Sequence, residues 1–114
     1  MKALELKNLI EIAGDDHSFV LDMLRIYLKN LPGMMNPLKT AFDNNDVDGI
    51  SMWVHKLKSA SGAAGSVLVL QQADLLEQLA IKNKPFAELE KRYAKLHMAL
   101  ELTLPEINNY LETN

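Results

Sequence analysis

The sequence contains no cysteine, which excludes disulfides, thiolate catalysis and zinc sites built on cysteine. It also has no excess of positive charge, since the formal net charge is −3 at pH 7, whereas a nucleic-acid-binding protein usually presents a basic face. No uninterrupted apolar run approaches the length of a membrane span. The first residues include Glu5 and Lys7 rather than the apolar segment of a signal peptide. We therefore expect a cytoplasmic protein that binds neither nucleic acid nor membrane.

Signals for β-strands are missing as well, because no segment alternates apolar and polar residues over a sustained length. What is present is a composition typical of globular proteins, with 48% hydrophobic and 24% charged residues. A chain of 114 residues is long enough to bury a hydrophobic core without the support of disulfides or metal ions. We therefore predict a single all-α domain over residues 1–114.

Apolar residues recur at spacings of three and four along most of the chain, which predicts amphipathic helices. Caps and breakers then mark where these helices begin and end. The predicted boundaries are residues 3–12 with Gly14 as the stop for the first helix, an N-cap at Asp15 or Asp16 for the second, an N-cap at Asn45 and an end near Ala64 for the third, residues 67–82 for the fourth, and Pro85 in the first turn of the last.

Three prolines lie within these helical patterns and remove backbone donors. We expect a kink near Pro32 and Pro37, where the apolar spacing keeps its phase, and expect Pro105 to bend the last helix or to end its regular part. Short connectors between long amphipathic helices favour antiparallel neighbours. The predicted architecture is an up-down antiparallel four-helix bundle with a short additional N-terminal helix.

The third predicted helix has an unusual surface. At about 100° per residue, one face holds Ser51, His55, Lys58, Ser59, Gly62 and Ser66. The opposite face is an ordinary core stripe of Ile50, Trp53, Val54, Leu57, Ala60, Ser61 and Ala64. Serine and glycine lower helix propensity, so their presence around His55 indicates a surface cleared for something to approach the imidazole. Lys58, one turn on, can stabilise negative charge added to the ring.

The same surface supplies the candidate contact residues for a partner. They are Ser51, Met52, Ser59, Gly62, Ala63 and Ser66. The alternative without a function is that His55 is a boundary histidine beside a solvated lysine, and that the small residues mark close packing between helices. Close packing accounts for the inward small positions, but it does not account for Ser59 and Gly62. Clearance for a partner does.

Other kinds of chemistry lack their motifs. No glycine-rich phosphate loop follows a strand, which argues against a kinase, and nothing marks a nucleophile elbow. His17 and His97 lie far from His55 in the sequence, and no His/Asp/Glu set has the spacing of metal ligands. We predict no metal site and no cofactor.

The segment around His55 resembles the histidine-containing phosphotransfer (HPt) domain family. The residues that carry the resemblance are His55, Leu57, Lys58, Ser59, Ala60, Ser61 and Gly65, with Gly14-Asp15-Asp16 and Phe19 before them and Val69, Ala73, Leu76 and Glu77 after them. The resemblance covers roughly residues 14–80. The sequence departs from the family pattern at Ser59, which replaces a glycine, and at Val54, which replaces a common alanine.

The resemblance implies a phosphoryl carrier rather than an enzyme with its own nucleotide or metal site. His55 would carry the phosphoryl group between receiver-domain aspartates in a multistep two-component phosphorelay, and Lys58 would stabilise it. The acidic pocket and Mg²⁺ would come from the partner, which is a response-regulator receiver domain or a hybrid histidine kinase. We expect a monomer. The alternatives are the phosphoacceptor domain of a chemotaxis-type histidine kinase and a helical-bundle adaptor without phosphoryl chemistry.

Overall fold

The computed structural model describes residues 2–114, which form five helices and no strand. The helices are α1 (Lys7–Ala13), α2 (His17–Asp43), α3 (Val47–Ala63), α4 (Val67–Ile81) and α5 (Phe86–Thr113). α3 packs against both α2 and α4, α4 packs against α5, and α1 packs on α2. The all-α prediction is confirmed. Across residues 2–114, no helix combines the length and the hydrophobicity that crossing a bilayer requires.

One apolar core runs between the helices. Its largest fully buried side chains include Leu24, Leu38, Ile50, Leu57, Leu76, Leu89, Leu96 and Ile107. Full burial of each such side chain contributes about 1.5–3 kcal/mol, so these residues fix which face of each helix points inward. Trp53, predicted in the core, packs against it while remaining partly exposed.

Aspartate side chains cap the second and third helices. Asp16 accepts a hydrogen bond from the Phe19 amide at 3.2 Å, as one of the two predicted caps. The predicted cap at Asn45 is wrong by one residue, because Asn45 has a positive φ of 51° and Asp46 accepts from the Gly49 amide at 3.0 Å. A side chain at Gly49 would collide with the Asp46 carboxylate, so glycine at this position leaves room for the cap.

The first helix starts later than predicted. α1 begins at Lys7, and residues 3–6 form a non-helical segment, called here the N-terminal strap. The Glu5 amide in the strap donates to the Gly65 carbonyl at 2.7 Å. A Cβ at Gly65 would collide with the Glu5 carbonyl oxygen, and its φ of 73° is in the left-handed region. The predicted start at residue 3 is wrong because the backbone of Ala3 and Glu5 bonds to other parts of the fold, namely Gly65, Leu68 at the start of α4 and the Glu106 side chain.

The three internal prolines do not end their helices. α2 continues through Pro32 and Pro37 to Asp43, and α5 continues through Pro105 to Thr113. The buried residues on either side of the α2 prolines, Leu31 and Leu38, stay on the core face. Tertiary burial therefore keeps α2 in phase where local propensity alone would interrupt it.

Candidate functional site

His55 lies in the middle of α3 with its side chain 62% exposed. Its Nδ1 atom lies 2.6 Å from Oε2 of Glu77 on α4, and the Glu77 side chain is only 10% exposed. A carboxylate can only accept at this distance, so in the neutral ring the proton resides on Nδ1. Nε2 then keeps its lone pair, which makes it the nucleophilic nitrogen of His55.

Lys58, one turn after His55, lies between two carboxylates of α4. Its Nζ atom is 2.9 Å from Glu77 Oε1 and 3.1 Å from Asp74 Oδ1. The hydrogen bond to Glu77, and after it the bond to Asp74, raises the pKa of Lys58 above its usual value. Glu77 therefore uses one oxygen for the imidazole and the other for the ammonium. A nearly buried carboxylate is costly unless it is paired and hydrogen-bonded, and both conditions are met here.

A fifth side chain completes this group. Gln78 Nε2 donates to Asp74 Oδ2 at 2.9 Å, so Asp74 also has a partner on each oxygen. We call His55, Lys58, Asp74, Glu77 and Gln78 the imidazole network. Its α3 members are three residues apart and its α4 members span four, which are the spacings that bring side chains onto one face of a helix. The network therefore depends on how α3 faces α4.

Buried hydrogen bonds hold the turn that joins these two helices. The Tyr27 hydroxyl donates to Ser66 Oγ at 3.0 Å and shares a 2.8 Å hydrogen bond with the Ser61 hydroxyl. Burial raises the pKa of Tyr27 above its usual value, although the hydrogen bonds to Ser61 and then Ser66 oppose that shift. The bonds tie α2 to the end of α3 and the start of α4.

The predicted contact residues fall into two groups. The side chains at Met52, Ser59 and Ala63, together with Gly62, are exposed on α3, and Ser51 is partly buried. The placement of Ser66 on this exposed face is wrong, because Ser66 is 0% exposed and serves as the N-cap residue of α4. α3 ends at Ala63, so the helical periodicity that suggested an exposed Ser66 no longer applies there.

The space around Gly62 shows whether packing within the chain requires a glycine at this position. A Cβ added at Gly62 would meet only Leu70 Cδ1, at 3.9 Å, which is an ordinary van der Waals contact. Packing within the chain therefore does not require glycine at this position. A partner-contact role for Gly62 stays a prediction.

Sequence reasoning assigned no role to Asp74 or Glu77. A signal for Glu77 was present, because it follows the inward Leu76 by one residue and Ala73 by one turn. A carboxylate on the buried side of a helix requires a partner of opposite charge or a hydrogen-bond donor. Asp74 is partly exposed and offered no comparable signal.

A comparison with protein families identifies the domain. A family model described as the Hpt domain matches residues 22–110, which is most of the chain and includes the whole imidazole network. The chain belongs to the Hpt domain family. Searches of the curated proteins and of the solved structures found no match.

Membership of the Hpt domain family indicates the general role of this chain. Hpt domains are histidine phosphotransfer modules of two-component phosphorelays. In this Hpt domain, His55 is the histidine whose Nδ1 atom contacts a nearly buried carboxylate. His17 and His97 instead lie against the rings of Tyr110 and Tyr93.

Proposed function

We propose that this Hpt domain carries a phosphoryl group on Nε2 of His55, between aspartates of receiver domains in a multistep phosphorelay. The observation that carries the proposal is the contact between His55 Nδ1 and Glu77. It occupies one ring nitrogen with a nearly buried acceptor and leaves the other as the nucleophile on a side chain that is 62% exposed. A phosphoryl carrier needs this division, because one nitrogen must orient the ring while the other reacts.

The transfer step balances without a proton moving to or from Nε2. The Nε2 lone pair attacks phosphorus of a receiver aspartyl phosphate, and the P–O bond breaks with its electron pair returning to the aspartate carboxylate. His55 keeps its Nδ1 proton, so the phosphorylated ring is cationic and the Glu77 carboxylate stabilises it through a charge-assisted hydrogen bond. In the onward step a carboxylate oxygen of a receiver aspartate attacks phosphorus, the N–P bond breaks, and its electron pair goes back to Nε2.

The partner supplies the rest of the chemistry in this proposal. The receiver domain contributes its aspartate, the surrounding acidic pocket and Mg²⁺, and the Hpt domain contributes no nucleotide site or cofactor of its own. Lys58 stabilises the phosphoryl group, and Ser51, Met52, Ser59, Gly62 and Ala63 form the surface on which the receiver docks. The domain acts as a cytoplasmic monomer, and the short connectors support an up-down antiparallel order of α2 to α5.

The test is incubation with a phosphorylated receiver domain, compared between the wild type and His55→Gln. Acid-labile phosphate should appear on the wild type and be absent from the variant. Because the His55 side chain is largely exposed, the melting temperature of the variant should stay close to that of the wild type. Acid-labile phosphate on the variant would move the assignment to another histidine.

A parallel incubation separates the alternatives. ATP alone should label neither protein. Labelling by ATP together with a chemotaxis-type kinase domain, with no exchange with any receiver, would favour the phosphoacceptor alternative. Receiver binding without phosphate on any histidine would favour the adaptor.

A further inference from the structure

The charges beside His55 do not cancel. Asp74 and Glu77 are both within hydrogen-bond distance of the single Lys58 ammonium, so two carboxylates share one cation. The His55 imidazole adds no negative charge until it is phosphorylated. The phosphoryl group carries about two negative charges and the ring becomes cationic, so phosphorylation adds a net charge of about −1 to a site that already carries an excess of one.

Glu77 has a direct task in this arrangement, since it contacts the ring. Asp74 does not contact His55, and its two oxygens bond to Lys58 and Gln78. The Gln78 bond holds the Asp74 carboxylate in place from the same helix. Asp74 can therefore affect the ring only through its charge and through the position of Lys58.

We propose that Asp74 is a positioning residue that sets how strongly the domain retains a phosphoryl group. It holds Lys58 at the Glu77 side of the imidazole, and its charge raises the free energy of the phosphorylated state. The domain thereby passes the phosphoryl group on rather than keeping it. This inference rests on the proposed function of His55 and adds a residue that tunes it.

The perturbation that isolates this effect is Asp74→Asn. The amide oxygen can still accept from Lys58 or Gln78, but the negative charge is gone. Both consequences favour the phosphorylated state, because repulsion falls and Lys58, which Glu77 still contacts, is held less tightly and can approach the phosphoryl group more easily. For one unit charge at a solvent-screened site, the ratio of phosphorylated to free protein should rise by roughly three- to tenfold.

Two matched controls are used. One keeps the negative charge at residue 74, and the other removes a negative charge at a distant position. Asp74→Glu keeps the carboxylate and should restore the wild-type ratio to within about twofold. Asp43→Asn removes one negative charge from a different lysine pair, since Asp43 Oδ2 lies 2.9 Å from Lys39 Nζ on α2. This control should leave the ratio unchanged.

The ratio is measured with phosphoramidate as a small-molecule donor, at fixed concentrations of phosphoramidate and ammonium. His55 Nε2 takes the phosphoryl group, the P–N bond of the donor breaks, and ammonia leaves, so no receiver is needed. Intact-protein mass spectrometry gives the two populations. Raising the salt concentration should narrow the difference between wild type and Asp74→Asn, because exposed charges are screened.

A second readout does not involve phosphorylation. The carbon shift of Lys58 Cε, followed by NMR through alkaline pH, reports the pKa of the Lys58 ammonium, which Glu77 and Asp74 raise. That pKa should fall in Asp74→Asn and stay unchanged in Asp43→Asn. Together, a lower Lys58 pKa and a higher phosphorylated ratio support the proposal.

The outcomes separate this inference from the proposed function. A phosphorylated ratio in Asp74→Asn within twofold of the wild type would overturn the role of Asp74, and so would an unchanged Lys58 pKa. If phosphoramidate phosphorylates His55 but no receiver exchanges with it, the proposed function fails while the Asp74 result stands. If His55 is not phosphorylated in any variant, both are wrong.

Discussion

Replacing Glu77 with Gln is the sharpest test of how the imidazole network works. Glu77 accepts from His55 Nδ1 through Oε2 and from Lys58 Nζ through Oε1. A glutamine of the same size has one acceptor oxygen and one NH₂ group. Its NH₂ group must therefore face either the ring N–H or the ammonium, both of which are donors. The variant cannot satisfy both partners, so the His55 ring is no longer held in one tautomer by a carboxylate.

The size of the effect follows from the bond that is lost. A hydrogen bond to a charged group contributes about 1.5–3 kcal/mol. Because the His55 side chain is 62% exposed, water screens the bond, and the lower end of that range applies. The cationic phosphorylated ring and the transition state leading to it lose this stabilisation, so transfer should slow by roughly tenfold.

Rapid-quench measurement of phosphoryl transfer from a phosphorylated receiver gives this rate directly. ¹⁵N NMR of the imidazole, recorded in parallel, reports whether the proton stays on Nδ1. Glu101→Gln, an exposed change of the same chemistry on α5, serves as the control and should match the wild type in both measurements. A Glu77→Gln variant that transfers at the wild-type rate and keeps the same tautomer would refute the orienting role of Glu77.

Three further predictions test other parts of the site. Lys58→Ala should slow transfer or shorten the life of the phosphohistidine by about tenfold or less, and an unchanged rate and lifetime would leave Lys58 a purely structural partner of Glu77. Gly62→Arg should keep or slightly raise the melting temperature, since it raises helix propensity, but abolish receiver binding in titration calorimetry, and unfolding would show that Gly62 is packed. The pKa of Tyr27 is raised by burial, so its contribution to stability is present below about pH 10 and is lost as pH rises through the folded pKa. Tyr27→Phe should flatten the fall in unfolding free energy above about pH 10, and an unchanged slope would contradict the assigned burial effect.

The helices were readable from the sequence because burial repeats with the period of the helix. On the fourth helix, for example, Val69, Ala73, Leu76 and Ala80 follow one another at spacings of three and four, and all four are buried. The start of the first helix was not readable. The backbone hydrogen bond from the Glu5 region to the α3–α4 turn joins residues that are distant in the sequence, and no local pattern encodes it.

From the sequence, only the part of the site that lies within one helix could be predicted. The spacing of His55 and Lys58 placed them one turn apart, which the structure reproduces. The pairing of these residues with Glu77 depends on the rotation of α3 against α4, which helical periodicity within one element does not determine. The prediction for Ser66 failed for a related reason: it assumed that the helical periodicity of α3 continues to residue 66, whereas α3 ends at Ala63.

The proposed function requires one imidazole both to accept and to donate a phosphoryl group, and the contrast in exposure between His55 and Glu77 fits that requirement. The Glu77 side chain is 10% exposed and His55 is 62% exposed, so the orienting bond lies on the protein side of the ring and the reacting nitrogen is left for the partner. Both helices already hold these groups in contact, and the turn between them is tied down by the buried hydroxyls at Tyr27, Ser61 and Ser66. A ring oriented in advance loses little freedom in the transition state. We therefore expect the transfer rate to depend on the arrival of the partner and on the charge balance around Lys58, with no rearrangement of α3 or α4 required.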